Sequence, residues 1–577
     1  MRRKLIPYVV LLSTFGIGIG ACTDKSLEVT NPNSGETKRV LGTPDDAEKL
    51  LGSYYKRWHV ALYGGNDPAP PGTLEGMANI MSFQNYSSLN NECQNSRYPF
   101  SGAANSNAPG NNCDGDNQGA YFVLNEVVRV ASNFLTNVQS GTLNLGSPAR
   151  ENKDKAFAEF LRGISLGYLA MIYDSSAVIA AGQAGDDPGK LVSYKEVAES
   201  AYVALQRAID LSSAAATGTN GFPISSDWIP TPTALSAPEF VKLIHSYRAM
   251  FRSDVARNPQ ERAAANWDAI IADAQAGITA DHLMVTSTTN GPGGGWIRIY
   301  DGGDLWHQMS PFIIGMADAS GAYEKWLQTP VSDRGAGNIG FFMTTPDLRF
   351  PQGDTRAAQQ ADQTVQSCEV PGGISNHSCK RYFTNRPNGS DGFAGIGWGW
   401  SNYDFNRFHW WVTKGDGGTG RNGTIVFFPK AVNDMIQAEG LIRKGQFAQA
   451  AALINVTRTK NGLPAITAFD GTTPVPGGTA CVPKTPKGNG PGASVSCGNM
   501  FEAMKWEKRM EEAFVQFAAW YMDGRGWGDL AQGVPLFWAV PYEDLLARGY
   551  TADKIYGAGP GAGNAPNSAA GPSTYGW

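Results

Sequence analysis

The chain has 577 residues, a formal net charge of −5 and only 17% charged residues. No basic run or basic helix face occurs beyond the first few positions, which excludes a nucleic-acid footprint. The length fits roughly two to four ordinary domains or one large helical-repeat domain. Abundant Gly, Asn, Ser and Pro between the periodic segments suit an exported protein with long ordered loops around a helical scaffold.

Residues 1–21 predict an export signal. Met1-Arg2-Arg3-Lys4 is a basic start, and the apolar run over 5–19 is too short to span a bilayer. It ends in Ile19-Gly20-Ala21-Cys22, which resembles a bacterial lipobox and implies lipidation of Cys22. The alternative is an ordinary signal peptide with a chance cysteine. Acyl chains on Cys22 would hold a soluble domain at a membrane without a transmembrane helix. Six further cysteines, Cys93, Cys113, Cys368, Cys379, Cys481 and Cys497, lie in Gly/Asn/Ser/Pro-rich loops without a C-x-x-C pair. An even count in an exported chain favours disulfides over metal. The simplest connectivity is local, Cys93–Cys113, Cys368–Cys379 and Cys481–Cys497, each worth about 3 kcal/mol in the chain-entropy model. Other pairings remain open.

Residues 22–42 read as a polar tether. Thr43-Pro44-Asp45-Asp46 then starts a helix with a Thr cap, Pro in the first turn and early acids. Its apolar face is Ala47, Leu50, Leu51, Tyr54, Tyr55 and Trp58. The irregular stretch 62–118 includes Asn112, Asp114 and Asp116, but lacks the glycine and twelfth-position glutamate of an EF-hand, so a solvated loop is expected. Helical periodicity covers 121–139, 152–173, 194–211, 237–257 and 263–276. The last three have a degenerate tetratricopeptide-like rhythm, and such helix pairs must stack to bury their faces. Gly163-Ile164-Ser165-Leu166-Gly167 fits G-x-S-x-G, yet it sits in a helical run without the strand a nucleophile elbow needs. Close helix packing is the plainer reading.

Periodicity vanishes over 286–425, a long stretch for a structureless segment and therefore a functional candidate. Helices return over 430–443 and 448–460. A loop follows over 471–499, and residues 557–577 read as a flexible Gly/Ala/Pro/Ser tail. Between these, Ala503, Trp506, Met510, Phe514, Phe517 and Tyr521 predict one continuous amphipathic stripe. Glu502, Lys505, Lys508, Arg509 and Glu512 fall between them, free to stay solvated or to pair across one turn. Gly524, Gly526 and Gly528 are expected to stop that helix.

Glu507-Lys508-Arg509-Met510-Glu511-Glu512-Ala513-Phe514 followed by Asp523-Gly524-Arg525-Gly526-Trp527-Gly528 resembles the C-terminal signature of the SusD/RagB family. Val515-Gln516-Phe517-Ala518 departs from it, and the spacing to Asp523 is longer, which fits a divergent branch. The run 438–458, with Ala438-Glu439-Gly440-Leu441 and Ile454-Asn455-Val456, resembles another family stretch. So do Lys155-Ala156-Phe157-Ala158-Glu159-Phe160-Leu161-Arg162-Gly163 and Leu27-Glu28-Val29-Thr30-Asn31-Pro32-Asn33. The resemblance implies a mostly α fold, a single SusD-like domain over 43–556 on a tetratricopeptide-like scaffold (43–285 and 426–556) with long irregular loops. It implies a surface-exposed outer-membrane lipoprotein that captures oligosaccharides, or in some members peptides, for a SusC-like TonB-dependent transporter.

Neutral sugars are held by flat aromatic faces against C–H surfaces and by Asn, Asp, Arg and Gln at hydroxyls. The region 286–425 supplies those types. The candidate platforms are Trp296, Tyr300, Trp306, Trp398 and Trp400, with Asp301, Asp304 and Asn402 as polar partners. No family motif fixes these positions. The competing class, a glycoside hydrolase, needs two carboxylates across a cleft; Glu507 and Glu511 are one turn apart, but pairing with Lys508 or Arg509 explains them more simply. The six histidines show no metal-ligand spacing, and no P-loop or dinucleotide fingerprint occurs, so neither metal nor cofactor is expected.

Overall fold

Several helix starts in this chain are set by side chains that accept the first free backbone N–H groups. The computed structural model describes residues 43–64, 74–87, 107–110, 113–183, 187–214, 221–289, 291–300, 307–330, 333–334, 341–362, 381–386, 401–413, 415, 420–550, 569 and 571–577. The leader, Cys22 and the tether lie outside them. Thr43 accepts from the Asp46 N–H ahead of helix α1 (Pro44–Tyr63). After α2 (Leu74–Met81), strand β1 (Asn85–Ser87) and α3 (Asp114–Gln139), Ser147 accepts from the Arg150 N–H ahead of α4 (Pro148–Ile172). A ribbon of β2 (Ser175–Ala177) and β3 (Leu191–Ser193) follows. Ser193–Glu196 and Ser236–Glu239 are reciprocal capping boxes at α5 (Tyr194–Ser213) and α6 (Ala237–Asp254). The single helix expected over 263–276 is instead α7 (Pro259–Ala263) and α8 (Trp267–Gln275), because Asn258 and Asn266 each cap a separate start.

The spine is α4, buried at every position from Ala156 to Ile172. Two glycines let its neighbours come close. A Cβ on Gly163 would stand 2.5 Å from Leu205 Cδ2, and one on Gly167 would stand 2.5 Å from the Phe251 ring. Ser165 lies between them, fully buried in mid-helix, so this run is a packing device and not a nucleophile elbow. Outward from the spine the helices stack in order, α3 on α4, α4 on α5, α5 on α6, and α6 on α8.

The stretch without periodicity leaves this ladder and returns to the same place. Strand β4 (His282–Thr286) enters it. It then holds α9 (Trp296–Tyr300), β5 (His307–Met309), α10 (Pro311–Ile314), α11 (Ala322–Gln328), α12 (Arg356–Asp362), β6 (Phe383–Asn385), β7 (Tyr403–Phe405) and α13 (His409–Thr413). Strand β8 (Gly423–Phe428) leaves it, pairing antiparallel with β4 from Thr286–Gly423 to His282–Phe428. Inside, an antiparallel sheet of order β1-β5-β7-β6 recruits its edge strand from outside the insertion. The neck sets α14 (Lys430–Arg443) against α8 and α6, and α15 (Phe447–Lys460) packs on α14. The ladder is therefore continuous in space although some 140 residues interrupt it in sequence. The fold is mostly α, a helical-repeat scaffold carrying long irregular loops.

Beyond α15, strands β9 (Lys484–Lys487) and β10 (Ser494–Cys497) form a hairpin closed by the Cys481–Cys497 disulfide. Cys113 is disulfide-bonded as well; Cys93, Cys368 and Cys379 lie outside the described residues. The continuous stripe over 503–521 is corrected. It is two helices, α16 (Met500–Glu512) and α17 (Ala519–Trp527), because Phe514 and Ala518 turn the chain through left-handed conformations at φ +53° and +49°. Gly524 and Gly526 do not end a helix but lie inside α17; only Gly528, at φ +80°, caps it. A short helix, α18 (Tyr542–Ala547), follows. The expected flexible tail is partly otherwise, since residues 571–577 pack onto the body with Tyr575 and Trp577 buried.

Candidate ligand-binding site

The predicted aromatic site is only partly within the described residues. Trp296 and Tyr300 open and close α9, a five-residue helix fixed from its middle. Ile297 and Ile299 are buried there. The Arg298 guanidinium donates to the carbonyls of Gly294 (2.9 Å) and Val515 and lies 4.2 Å over the Tyr63 ring. The glycine-rich approach to α9 presses on a core tryptophan, since a Cβ on Gly294 would fall 1.8 Å from Trp411 Cη2. Asn402 is buried at 4% exposure just before β7, where its carbonyl accepts the Arg386 N–H at 2.8 Å. Asp301, Asp304, Trp306, Trp398 and Trp400 lie outside the described residues. Three of the eight candidates, Trp296, Tyr300 and Asn402, therefore have a place among the described elements.

The carboxylates considered for hydrolysis are structural. Glu507 is fully buried, takes Arg349 Nη1 at 2.9 Å, and shares that arginine with Asp347. Tyr382 donates to Glu511 at 3.1 Å, and Arg349 and Arg407 stand 3.7 Å away. Both carboxyls thus face arginines and a tyrosine instead of solvent. The charges of α16 pair within one turn as expected at Glu502–Lys505 (2.9 Å) and Lys508–Glu512 (3.9 Å), but Lys505, Lys508, Arg509 and Glu512 are buried instead of solvated and also meet distant segments. Lys508 meets Asp523 at 2.6 Å, and Arg262 meets Asp254 (2.7 Å), Glu439 (2.6 Å) and Asp523 (3.0 Å). Burial alone would raise the Glu439 carboxyl, but Arg262 takes it down to about 2. Burial raises Asp523 to about 6 against the pull of Lys508.

A cleft of about 320 Å³ opens between the start of α5 and the segment joining α6 to α8. Tyr194 lines it half-buried, with Lys195, Glu199, Arg252 and Glu261 around it. Sequence reading places Tyr194 only as the first residue of a helix. What gives it a second meaning is Arg257, which closes on it from a distant turn and leaves no periodic signal.

Among solved structures that are similar to this chain is a SusD superfamily protein from Bacteroides thetaiotaomicron, 14% identical, with 88% of this chain and 96% of that chain covered at a TM-score of 0.49. A SusD-like carbohydrate binding protein from Bacteroides vulgatus is 14% identical over 85% of this chain and 84% of its own, at 0.45. A laminarin binding SusD-like protein is 15% identical over 87% and 97%, also at 0.45. No family profile matches the sequence, and no curated protein does.

Proposed function

We propose that this chain is a divergent SusD-like lipoprotein, anchored at the outer membrane through Cys22, that captures oligosaccharides without cleaving them and passes them to a SusC-like TonB-dependent transporter. One observation carries the reading. Separate stretches that resemble the SusD/RagB family supply Glu439, Lys508 and Asp523; Glu439 and Asp523 meet at Arg262, and Lys508 closes on Asp523, in one buried ion cluster. Chance likeness of scattered segments would not be expected to converge on a single packing site. Support also comes from the continuous helical ladder that projects a loop-rich, tryptophan-bearing insertion. No helix among the described residues is long and apolar enough to cross a membrane, and lipidation of Cys22 supplies the attachment in this reading.

The test is affinity electrophoresis of the purified chain through gels containing single polysaccharides, with Trp306→Ala and Trp398→Ala alongside. Retardation by one glycan, lost in a variant that keeps its unfolding midpoint, is the expected result. Retardation by none moves the ligand to peptides, and release of reducing ends during the run overturns the non-catalytic reading. Cys22→Ser should free the protein from the membrane fraction.

A further inference from the structure

Arg257 sits where a charge is costly. It is 4% exposed, and among the described residues no carboxylate comes within ion-pair distance of its guanidinium. Burial, with Arg525 beside it, pulls its pKa down to about 9. Its Nη2 donates to the carbonyls of Ala170 (3.1 Å) and Tyr173 (2.5 Å), while Nε and Nη1 have no hydrogen-bond partner among the described residues. Burying a cation without a counter-ion costs several kcal/mol of desolvation. What Arg257 does instead is stack. Its guanidinium lies 3.7 Å from the centre of the Tyr194 ring and 4.3 Å from that of Phe537.

Tyr194 is thereby fixed from two sides. Arg257 backs one face of the ring, and the hydroxyl donates to Glu261 Oε1 at 2.6 Å. Glu261 is itself held by the Arg257 N–H at 2.9 Å and by Lys195 at 3.3 Å. The rest of the half-buried ring, with Lys195 Nζ 5.5 Å from its centre, lines the 320 Å³ cleft together with the buried Ala198 and Ala256. A rigid aromatic face beside apolar side chains suits C–H surfaces. The charged residues on the rim balance, Lys195 and Arg252 against Glu199 and Glu261, so the cleft favours neither anions nor cations. Lys195, Glu199 and Arg252 supply donors and an acceptor for hydroxyl groups. The volume lies at the low end of small-ligand sites, about 300–1,000 Å³.

We propose that this cleft is a saccharide subsite for neutral sugar residues, with Tyr194 as the stacking platform and Arg257 as its buried backing. It stands on the helical ladder, apart from the aromatic insertion, and so adds a second contact for one chain or a second chain. The inference rests on the carbohydrate-capture reading.

The test titrates the full-length chain in detergent, by calorimetry, with hexasaccharides of β-1,3-glucan, α-1,4-glucan, β-1,4-mannan and β-1,4-xylan, and with hexagalacturonate as the charged control. Tyr194→Ala is expected to weaken binding of one neutral hexasaccharide about tenfold, or to remove one of two binding events. Tyr194→Phe should stay within about twofold, because Arg257 still backs the ring. Ala264→Trp fills the cleft from an exposed position and should reproduce the Tyr194→Ala loss with an unchanged unfolding midpoint; it decides the matter if Tyr194→Ala does not fold. Unchanged affinity and stoichiometry in Ala264→Trp, with the wild-type chain binding normally, overturns the subsite and leaves capture by the insertion standing. Preference for hexagalacturonate overturns the neutral class. No binding by the wild-type chain overturns both this inference and the reading on which it rests.

Discussion

Glu512 shows how the buried charges of α16 reach balance. Around Lys508 the cations are Lys508, Arg262 and Arg443, and the ionised carboxylates are Asp254, Glu439 and Asp523. Burial, and then Asp523 beside it, pushes the Glu512 carboxyl well above its ordinary range, which favours the neutral acid over a fourth negative charge. Glu512→Gln keeps that neutral shape and should change unfolding free energy by less than about 1 kcal/mol. Asp523→Asn leaves Lys508 and Arg262 short of a counter-charge and should cost about 3–5 kcal/mol. Urea unfolding of both variants checks this, and equal losses would refute the neutral assignment of Glu512. A second protonated acid lies where α1 meets α4. Burial raises Asp154 to about 8, opposed by Lys153 at 3.4 Å and reinforced by Glu48, which Arg150 and Lys153 hold. Between the unfolded value of 3.8 and about 8 the folded chain holds the extra proton, so stability falls as pH rises through that window. Asp154→Asn should remove that slope and gain on the order of 1–2 kcal/mol at pH 8.5, read from urea midpoints at pH 5.5, 7 and 8.5. None of this was legible in sequence. A charge between apolar helix positions ordinarily faces water, and Arg262, Asp254 and Asp523 come from segments that periodicity cannot connect.

At the scale of elements, the helices that stack along one ladder were readable and the breaks were not. The ranges of α4, α5, α6, α14 and α15 follow from apolar spacing with Ser, Thr or Gly at the ends. The α16–α17 break depends on Phe514 and Ala518, residues with no local preference for positive φ, which tertiary packing holds there. The short strands β5, β6 and β7, three residues each, are too brief for alternation to show. The G-x-S-x-G run illustrates the opposite, a motif emptied by context. Gly167→Ala must push the Phe251 ring aside and should cost about 1–3 kcal/mol by overpacking. Ser165→Ala removes a buried hydroxyl that has no hydrogen-bond partner among the described residues, and should stabilise or leave stability within about 1 kcal/mol. Thermal unfolding of the pair separates the two effects; a strong loss in Ser165→Ala would assign the hydroxyl a role that packing does not give it.

For the whole molecule, the last residues matter as much as the ladder. The segment 557–577 reads as tail because Gly, Ala, Pro and Ser dominate it, and the two aromatics near its end were the only contrary signal. Trp577 places its ring 4.8 Å from Phe312 in α10 and 5.9 Å from Phe83 after α2, and its indole N–H donates to the Asp529 carbonyl at 3.3 Å. Tyr575 donates to Glu502 at 2.8 Å, receives Arg509 Nη1 at 3.1 Å, and its carbonyl accepts the Gly488 N–H of the disulfide hairpin. A Cβ on Gly576 would stand 2.7 Å from that same Gly488 nitrogen, so the strap and the hairpin touch backbone to backbone. Seven residues therefore touch the insertion, the end of α2, the α16–α17 wedge and the hairpin together, adding to the bonds that already join the insertion to α16 and to the hairpin. Trp577→Ala should cost about 3–5 kcal/mol. The more telling experiment is a chain ending at Gly571. If the strap couples these parts, the truncation should lower the urea midpoint and raise amide hydrogen exchange in α10 and β9–β10 together, while α4 and α5 keep their protection. Exchange confined to the hairpin would mean that the strap holds β9–β10 alone, and that the insertion is secured by its neck of β4 and β8.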